Sequence, residues 1–215
     1  MISRRIKAII SFINDENRII DVGCDHALVD IHSIKAGKTK TALAIDNNKK
    51  VVQEAISNIR KYQANNIEVL CNNGISNIDI KPDDLVIISG LGTRTIIKIL
   101  QDPMADNINR MIVQSNNDQY QLRKILTKSF TIIDEKVIKD KQKYYVVMSL
   151  KRGTSHYSFM DLLLGPIIRK SNVEYMSYMK DKFKKILKQN KKKNIVIFLY
   201  LNIIIYFIGK DIKNV

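Results

Sequence analysis

The chain has 215 residues, 45% hydrophobic and 27% charged, which suits one soluble domain with an appendage better than two full domains. Its net charge of +15, from 36 basic and 21 acidic residues, favours a polyanionic partner, nucleic acid before an acidic membrane surface. Lysine used as the default surface residue would give the same balance. Cys24 and Cys71 are far apart and form no CxxC pair, so neither a disulfide framework nor a zinc site is supported. With no convincing signal peptide, we expect a reducing, cytoplasmic location.

The first half of the chain alternates helices with buried strands. Ile6, Ile9, Ile10 and Ile13 have the i, i+3, i+4, i+7 spacing of an amphipathic helix, with Ser3 as its cap and Arg4, Arg5 and Lys7 on the solvent side. Apolar runs and turn signals then predict strands at 18–22, 41–46, 67–71 and 85–90, and helices at 27–37, 47–62 and 93–100.

The second half predicts how the sheet ends. A strand at 110–115 and a helix at 118–129 complete five strand–helix units, and 101–107 is predicted as a loop. Residues 130–140 and 143–152 follow with no room for a helix between them, so they predict an antiparallel hairpin. Alternation of strands and helices favours a parallel sheet covered on both faces. Among doubly wound folds, an antiparallel final pair is characteristic of the Rossmann-like methyltransferases.

The loop after the first strand contains the candidate site. Its sequence is D-x-G-x-D-H, from Asp21 and Gly23 to Asp25 and His26. Ligands of open α/β sheets bind at the carboxyl ends of the strands, but this loop lacks G-x-G-x-x-G and its carboxylates would repel a phosphate. S-adenosylmethionine, with a sulfonium, an amino group and ribose hydroxyls, fits better, and Asp46 at the second strand end could take both hydroxyls. Alternatively, Asp46 and Asp25 are helix caps and His26 is a core histidine.

Six segments together resemble the bacterial tRNA (adenine-N1)-methyltransferases of the TrmK family, which modify adenine 22. They are "DVGCDHALVDI", "AIDNN", "NNG", "VIISGLGTRTIIKIL", "IVQSNN" and "KYYVV", in the family's order and spacing. The resemblance implies a class I methyltransferase fold and S-adenosylmethionine as cofactor. It implies twelve cofactor-binding residues, from the methionine end to the adenine and the floor beneath the methyl group: Asp21, Gly23, Cys24, Asp25, His26, Asp46, Asn47, Asn73, Gly74, Ser89, Gly90 and Leu91.

Chemistry at adenine N1 needs alignment more than acid–base catalysis, because N1 has a lone pair at neutral pH. Asp25 and Asn116 are our candidate catalytic residues, as acceptors of a hydrogen bond from the exocyclic amine. The base must be extruded from the folded tRNA. No metal is expected, because His26 and His32 have no third ligand. The candidates for phosphate contact are Arg4, Arg5, Lys49, Lys50, Arg94, Arg123 and Lys124.

The sequence departs from the family pattern at four places. These are Leu28-Val29-Asp30, Asn73, Leu91-Gly92-Thr93 and Ser115. Thr93 and Ser115 are expected where substrate enters, so they would favour a degenerate methyltransferase that only binds RNA. A methyltransferase for another substrate is a further alternative.

The end of the chain differs from the rest. Residues 1–153 are predicted as the methyltransferase domain and 154–193 as a basic helical, coiled-coil-like appendage that grips tRNA, with Met176, Met179, Phe183 and Ile186 as an apolar seam. Within 194–215, the apolar run at 195–208 falls short of the roughly 20 residues that span a bilayer, so a spanning helix is not expected. A tail-anchored membrane protein is an alternative that rests only on this run. The tail either packs on the seam or comes from a shifted reading frame. No stable protein partner can be inferred from the sequence.

Overall fold

The computed structural model describes residues 2–168, 174–175 and 177–182, and within them one seven-stranded sheet is covered by helices. The strands are β1 Glu16–Val22, β2 Thr39–Asp46, β3 Ile67–Cys71, β4 Leu85–Leu91, β5 Arg110–Ser115, β6 Phe130–Asp140 and β7 Lys143–Arg152. The helices are α1 Arg4–Ile10, α2 Leu28–Lys35, α3 Lys49–Lys61, α4 Thr93–Ile99, α5 Gln119–Leu126 and α6 Phe159–Leu164.

The strand order is β3-β2-β1-β4-β5-β7-β6. Neighbouring strands from β3 to β5 are parallel, and β7 runs antiparallel to both β5 and β6. This confirms the predicted Rossmann-like methyltransferase sheet with its closing hairpin. The strand order reverses between β1 and β4, so a crevice opens at the carboxyl ends of these two strands.

Most predicted elements are confirmed, with small shifts at their ends. The bounds of β3, β5, β6 and β7 agree with the prediction, and Ser3 caps α1 by accepting a hydrogen bond from the N–H of Ile6 at 3.2 Å. The predicted loop at 101–107 instead contains a 3-10 helix, Pro103–Asn107. It forms because the Asp102 side chain accepts from the N–H of Met104 and a proline occupies the first turn.

Side chains alternate between the two faces of the sheet, and each face has its own core. Ile20 and Val86 belong to the cluster that also packs on α5 and the hairpin, whereas Ile19 and Ile87 belong to the cluster covered by α1. Asp21 lies in phase with Ile19, so it faces the side covered by α1 and is buried. A carboxyl group at this position is therefore enclosed by the fold itself.

The structure corrects the prediction that Arg123 contacts phosphate. Its side chain is only 2% exposed, and its Nε donates to Glu135 Oε1 at 2.7 Å. The guanidinium also donates to the carbonyl of Leu162, and Glu135 accepts from the N–H of Ile167. Arg123 therefore joins α5, β6 and the segment around α6 by a buried ion pair, and it is not available to a phosphate.

The appendage is described in part. Residues 174–175 and 177–182 are helical, and the hydroxyl of Tyr175 donates to the carbonyl of Leu164 at 2.9 Å. Met179 is buried with the main core, as expected for the predicted seam. The other three seam residues and the tail at 194–215 lie outside the described residues. Among the described residues, no helix is long and apolar enough to cross a membrane.

We predict that Arg123→Ala lowers the free energy of unfolding by about 3–5 kcal/mol, because it leaves the Glu135 carboxylate buried without its partner. Urea denaturation of the two proteins measures the change. Lys124→Ala is the matched control, because the neighbouring Lys124 side chain is exposed; it should change stability by less than about 0.5 kcal/mol. Equal stability of the two variants would contradict the structural role of Arg123.

Candidate active site

The loop after β1 approaches the end of β4 very closely. Gly23 has φ of +78°, and a Cβ at this position would lie 3.2 Å from the side chain of Leu91. The N–H groups of Gly23 and Cys24 both donate to the carbonyl of Ile45, which ties the loop to β2. Glycine is required both for the left-handed conformation and for the contact. The loops after β1, β2 and β4 thus meet at one place.

Two adjoining cavities lie at these strand ends. The larger, of about 650 Å³, is lined by residues that follow β2, β3 and β4, and the smaller, of about 260 Å³, by residues that follow β1 and β4. They share Gly23, Asp46 and Leu91. The twelve residues that the sequence predicts for the cofactor all line one cavity or both. Asp21, Cys24, Asp25, His26, Ser89 and Gly90 line the smaller, and Asn47, Asn73 and Gly74 the larger.

The structure excludes the helix-cap role for Asp46 and the core position for His26. Asn48, not Asp46, caps α3, because its side chain accepts from the N–H of Lys50. Asp46 Oδ1 accepts from the N–H of Asn48 at 2.9 Å, which orients the carboxylate into the cavities. His26 is 46% exposed and lies 3.5 Å from Asp25 and 3.3 Å from Glu54, so it is not a core histidine.

Two carboxyl groups are buried beneath the smaller cavity. Asp21 and Asp30 are both fully enclosed, and each acts on the pKa of the other. Burial raises the pKa of Asp21 to about 7, while Asp30 and the charge of Arg5 act in the opposite direction. Burial, and then the charge of Asp21, raise the pKa of Asp30 well above its ordinary value. Both carboxyl groups therefore hold a proton at a higher pH than an exposed aspartate does, and the charges of Asp25 and Asp46 raise the pKa of Asp21 further.

Arg5 belongs to the site and not to the solvent side of α1, where the sequence placed it. Its guanidinium is half-buried, lines the smaller cavity and donates to Gln114 Oε1 at 3.3 Å. It also packs on Gly90, where a Cβ would lie 3.0 Å from an Arg5 nitrogen. Gln114, which the sequence analysis missed, accepts from the N–H of Gly90 as well. The signal available in the sequence was that Arg5 lies one helical turn before Ile9.

The two candidate catalytic residues line different cavities. Asn116 donates to the carbonyl of Gly90 at 2.6 Å and lines a third cavity, on the side of the hairpin. Asp25 lines the smaller cavity, and its side chain is 66% exposed. Asn116 is thus held at the end of β4, where the prediction places the incoming base. Asp25 lies among the residues predicted for the cofactor.

The departures at Thr93 and Ser115 are buried, contrary to the expectation that they lie where substrate enters. Their hydroxyl oxygens lie 2.8 Å apart in a hydrogen bond, and Thr93 Oγ1 also donates to the carbonyl of Asn117 at 2.6 Å. Asn117 Oδ1 in turn accepts from the N–H of Thr93 at 2.9 Å. The hydroxyl groups of Thr93 and Ser115 therefore satisfy each other's hydrogen bonding, and their bonds hold the start of α4 in place.

The remaining basic candidates lie on the surface around the site. Lys49, Lys50, Arg94 and Lys124 are exposed, and Arg94 also lines the larger cavity. Arg4 is exposed as well, although it pairs with Glu174 at 2.6 Å. In the part of the chain that the structure describes, no group of three or more His, Cys, Asp and Glu side chains is arranged to hold a metal.

The profile described as "methyltransferase domain" matches residues 2–148. The chain belongs to this methyltransferase family. A putative tRNA methyltransferase of Mycoplasma genitalium is 27% identical over 172 residues, covering 76% of this chain and 77% of that protein. The structure of M. capricolum TrmK with S-adenosyl-homocysteine has a TM-score of 0.79 at 29% identity and covers 99% of this methyltransferase and 98% of that chain. The structure of a putative tRNA (m1A22) methyltransferase of Streptococcus pneumoniae, bound to S-adenosyl-L-methionine, has a TM-score of 0.85 at 25% identity. The match covers 99% of this chain and 100% of that chain.

The raised pKa of Asp30 predicts that the methyltransferase loses stability as the pH rises. Above about pH 4 the unfolded chain releases this proton while the folded chain retains it, so the free energy of unfolding falls. Asp30→Asn keeps a donor toward Asp21 and removes the titration. We expect the difference in free energy of unfolding, variant minus wild type, to increase by at least about 1 kcal/mol from pH 5 to pH 8. Urea denaturation at the two pH values measures it.

Asp15→Asn is the matched control for this experiment, because Asp15 is exposed and asparagine tolerates its positive φ of 49°. It should follow wild type at both pH values. If Asp30→Asn also follows wild type, the carboxyl pair does not carry the pH dependence.

Proposed function

We propose that this methyltransferase transfers a methyl group from S-adenosylmethionine to N1 of an adenine in tRNA, at position 22. The observation that carries the proposal is the pair of adjoining cavities, which brings the twelve predicted residues to the carboxyl ends of β1, β2, β3 and β4. Relatives named as tRNA methyltransferases, similar along three quarters or more of the chain, support the tRNA substrate. A net charge of +15 favours the same partner, and a tRNA substrate implies a cytoplasmic enzyme.

The donor set fits S-adenosylmethionine. The cavities offer carboxylates, amides and a glycine at close approach, and the loop after β1 lacks the glycine-rich turn that a pyrophosphate needs. In this assignment Asp46 accepts from the ribose hydroxyls, Asn47 and Asn73 lie along the adenine, and Asp25 faces the methionine end. When bound, the cofactor supplies a methyl group on a positively charged sulfur.

The contribution of the protein is then to align adenine N1 with the methyl group of the cofactor. Adenine N1 needs no general base before it accepts the methyl group, because it is unprotonated at neutral pH. Orientation of two reactants can supply about 7–11 kcal/mol of a barrier. Asn116, fixed by its bond to the carbonyl of Gly90 and by Gln114, which donates to Asn116 Oδ1 at 3.3 Å, is placed to orient the acceptor base.

Two alternatives remain distinguishable. A degenerate RNA-binding protein was favoured by Thr93 and Ser115, but these side chains are buried and bonded to each other, so they do not obstruct the site. A methyltransferase for another substrate would share the cofactor cavities and differ only in where the methyl group goes.

The decisive experiment incubates the full chain with tRNA and cofactor labelled in the methyl group. Nucleosides from the digested tRNA are then separated by mass spectrometry, and we expect the label in 1-methyladenosine. Cofactor binding without any transfer would support the degenerate protein. Label in protein or in a small molecule would overturn tRNA as the substrate.

We predict that Asp46→Ala weakens cofactor binding roughly tenfold to a hundredfold, because a hydrogen bond to a charged group contributes about 1.5–3 kcal/mol. Isothermal titration calorimetry with S-adenosylmethionine measures the affinity. Asp83→Ala serves as the control, because Asp83 is exposed and precedes β4, at the opposite edge of the sheet. Unchanged affinity of Asp46→Ala would remove Asp46 from the cofactor site.

A further inference from the structure

The third cavity, here called the hairpin cavity, has a volume of about 640 Å³. It lies between the start of α1, the turn that joins β6 to β7, and the helical residues 178–182. Its volume is within the range of about 300–1,000 Å³ that holds small ligands. The residues that matter below are Arg5, Asn116, Lys141, Lys143, Tyr145 and Lys182.

The hairpin cavity adjoins the cofactor cavities. Arg5 lines both the hairpin cavity and the smaller cofactor cavity. Asn116 lines the hairpin cavity and donates to the carbonyl of Gly90, which itself lines the smaller cavity. An acceptor seated in the hairpin cavity would therefore reach the cofactor past Arg5 and Asn116, on the side of the hairpin.

One wall of the hairpin cavity is suited to a planar ring. The guanidinium carbon of Arg5 lies over the Tyr145 ring, 5.6 Å from its centroid, and both side chains are partly exposed. Aromatic rings and guanidinium planes are the groups on which extruded RNA bases stack. The neighbouring Tyr144 is less suited, because it packs against Tyr178 and the main core.

The rim of the hairpin cavity is basic. Lys141 and Lys143 are exposed in the hairpin turn, and Lys182 is contributed by the appendage. Two acidic residues, Asp140 and the partly buried Asp181, also line the cavity. Asp140 accepts from the N–H of Arg5 at 3.1 Å, and this bond holds the pKa of its carboxyl below the ordinary value. The side chains of Lys141, Lys143 and Lys182 therefore give the rim positive charge that attracts a phosphate.

We propose that the hairpin cavity receives the extruded target nucleotide of the RNA, with its base on the Tyr145 and Arg5 wall and its phosphate near Lys141 and Lys143. The assignment rests on the proposed function, since it supplies the seat for the adenine that is methylated. Tyr145 is then a substrate-contacting residue, and a residue of the appendage, Lys182, completes the same cavity.

The first test compares Tyr145→Ala and Tyr145→Phe in the full chain. Loss of one base–aromatic stack should lower kcat/KM for an unmodified tRNA transcript roughly tenfold to a hundredfold in Tyr145→Ala. Tyr145→Phe keeps the ring and should stay close to wild type. The affinity for S-adenosylmethionine, measured by calorimetry, should be unchanged in both. Tyr62→Ala, at an exposed tyrosine after α3, is the matched control and should behave as wild type.

The outcomes separate the two proposals. If wild type methylates tRNA and Tyr145→Ala does so equally well, the hairpin cavity is not the acceptor seat and the proposed function stands. If wild type methylates no RNA, the proposed function fails and the seat fails with it. A loss of activity in Tyr145→Phe equal to that in Tyr145→Ala would contradict stacking.

A second variant decides the question if Tyr145→Ala fails to fold. Lys143 is exposed, so Lys143→Ala should fold and bind cofactor as wild type does. Removal of one phosphate contact should reduce the slope of log K for tRNA against log salt concentration by about one. An unchanged slope would overturn the phosphate contact and with it the proposed seat.

Discussion

The contact between Gly23 and the side chain of Leu91 sets the distance between the loops that follow β1 and β4. These two strands are neighbours where the strand order reverses, so their loops leave the sheet on opposite faces and would otherwise diverge. A Cβ on Gly23 would come within 3.2 Å of Leu91 and separate them. Both cavities at the strand ends share these two residues, so the candidate site depends on the absence of one side-chain atom.

The electrostatics of the site follow from the pleat of β1. Because Asp21 is in phase with Ile19, its carboxyl enters the face that α1 and α2 cover, where water does not reach. Burial raises the pKa of Asp21 to about 7, and the positive charge of Arg5 on α1 acts in the opposite direction. The helix that precedes the sheet is thus part of the candidate site, through a side chain that also touches Gly90.

The sheet, and the gathering of the predicted cofactor residues at one edge of it, were predictable because their signals are local. Apolar runs identify strands, and the topology alone brings the residues after each parallel strand to one edge. The predictions for Arg123, Thr93 and Ser115 were wrong because the partner that settles each role lies elsewhere in the chain. Arg123 pairs with Glu135, which lies 12 positions away. The hydroxyl of Thr93 bonds to that of Ser115, which lies 22 positions away. Arg5 contacts Gln114 across 109 positions, and the helical spacing within α1 indicates only the face on which Arg5 lies, not this partner.

The appendage is attached where the acceptor is expected, which links its basic charge to the chemistry. Tyr175 and Met179 fasten its helix to the core beside α6, and the Arg123–Glu135 pair secures that segment from beneath. The next turn of the helix then brings Lys182 to the rim of the hairpin cavity, opposite the lysines of the β6–β7 turn. In the proposed arrangement, an RNA held by the appendage lies at the entrance to the cavity that Asn116 lines, so the folded RNA is bound and one extruded base is presented on the same surface.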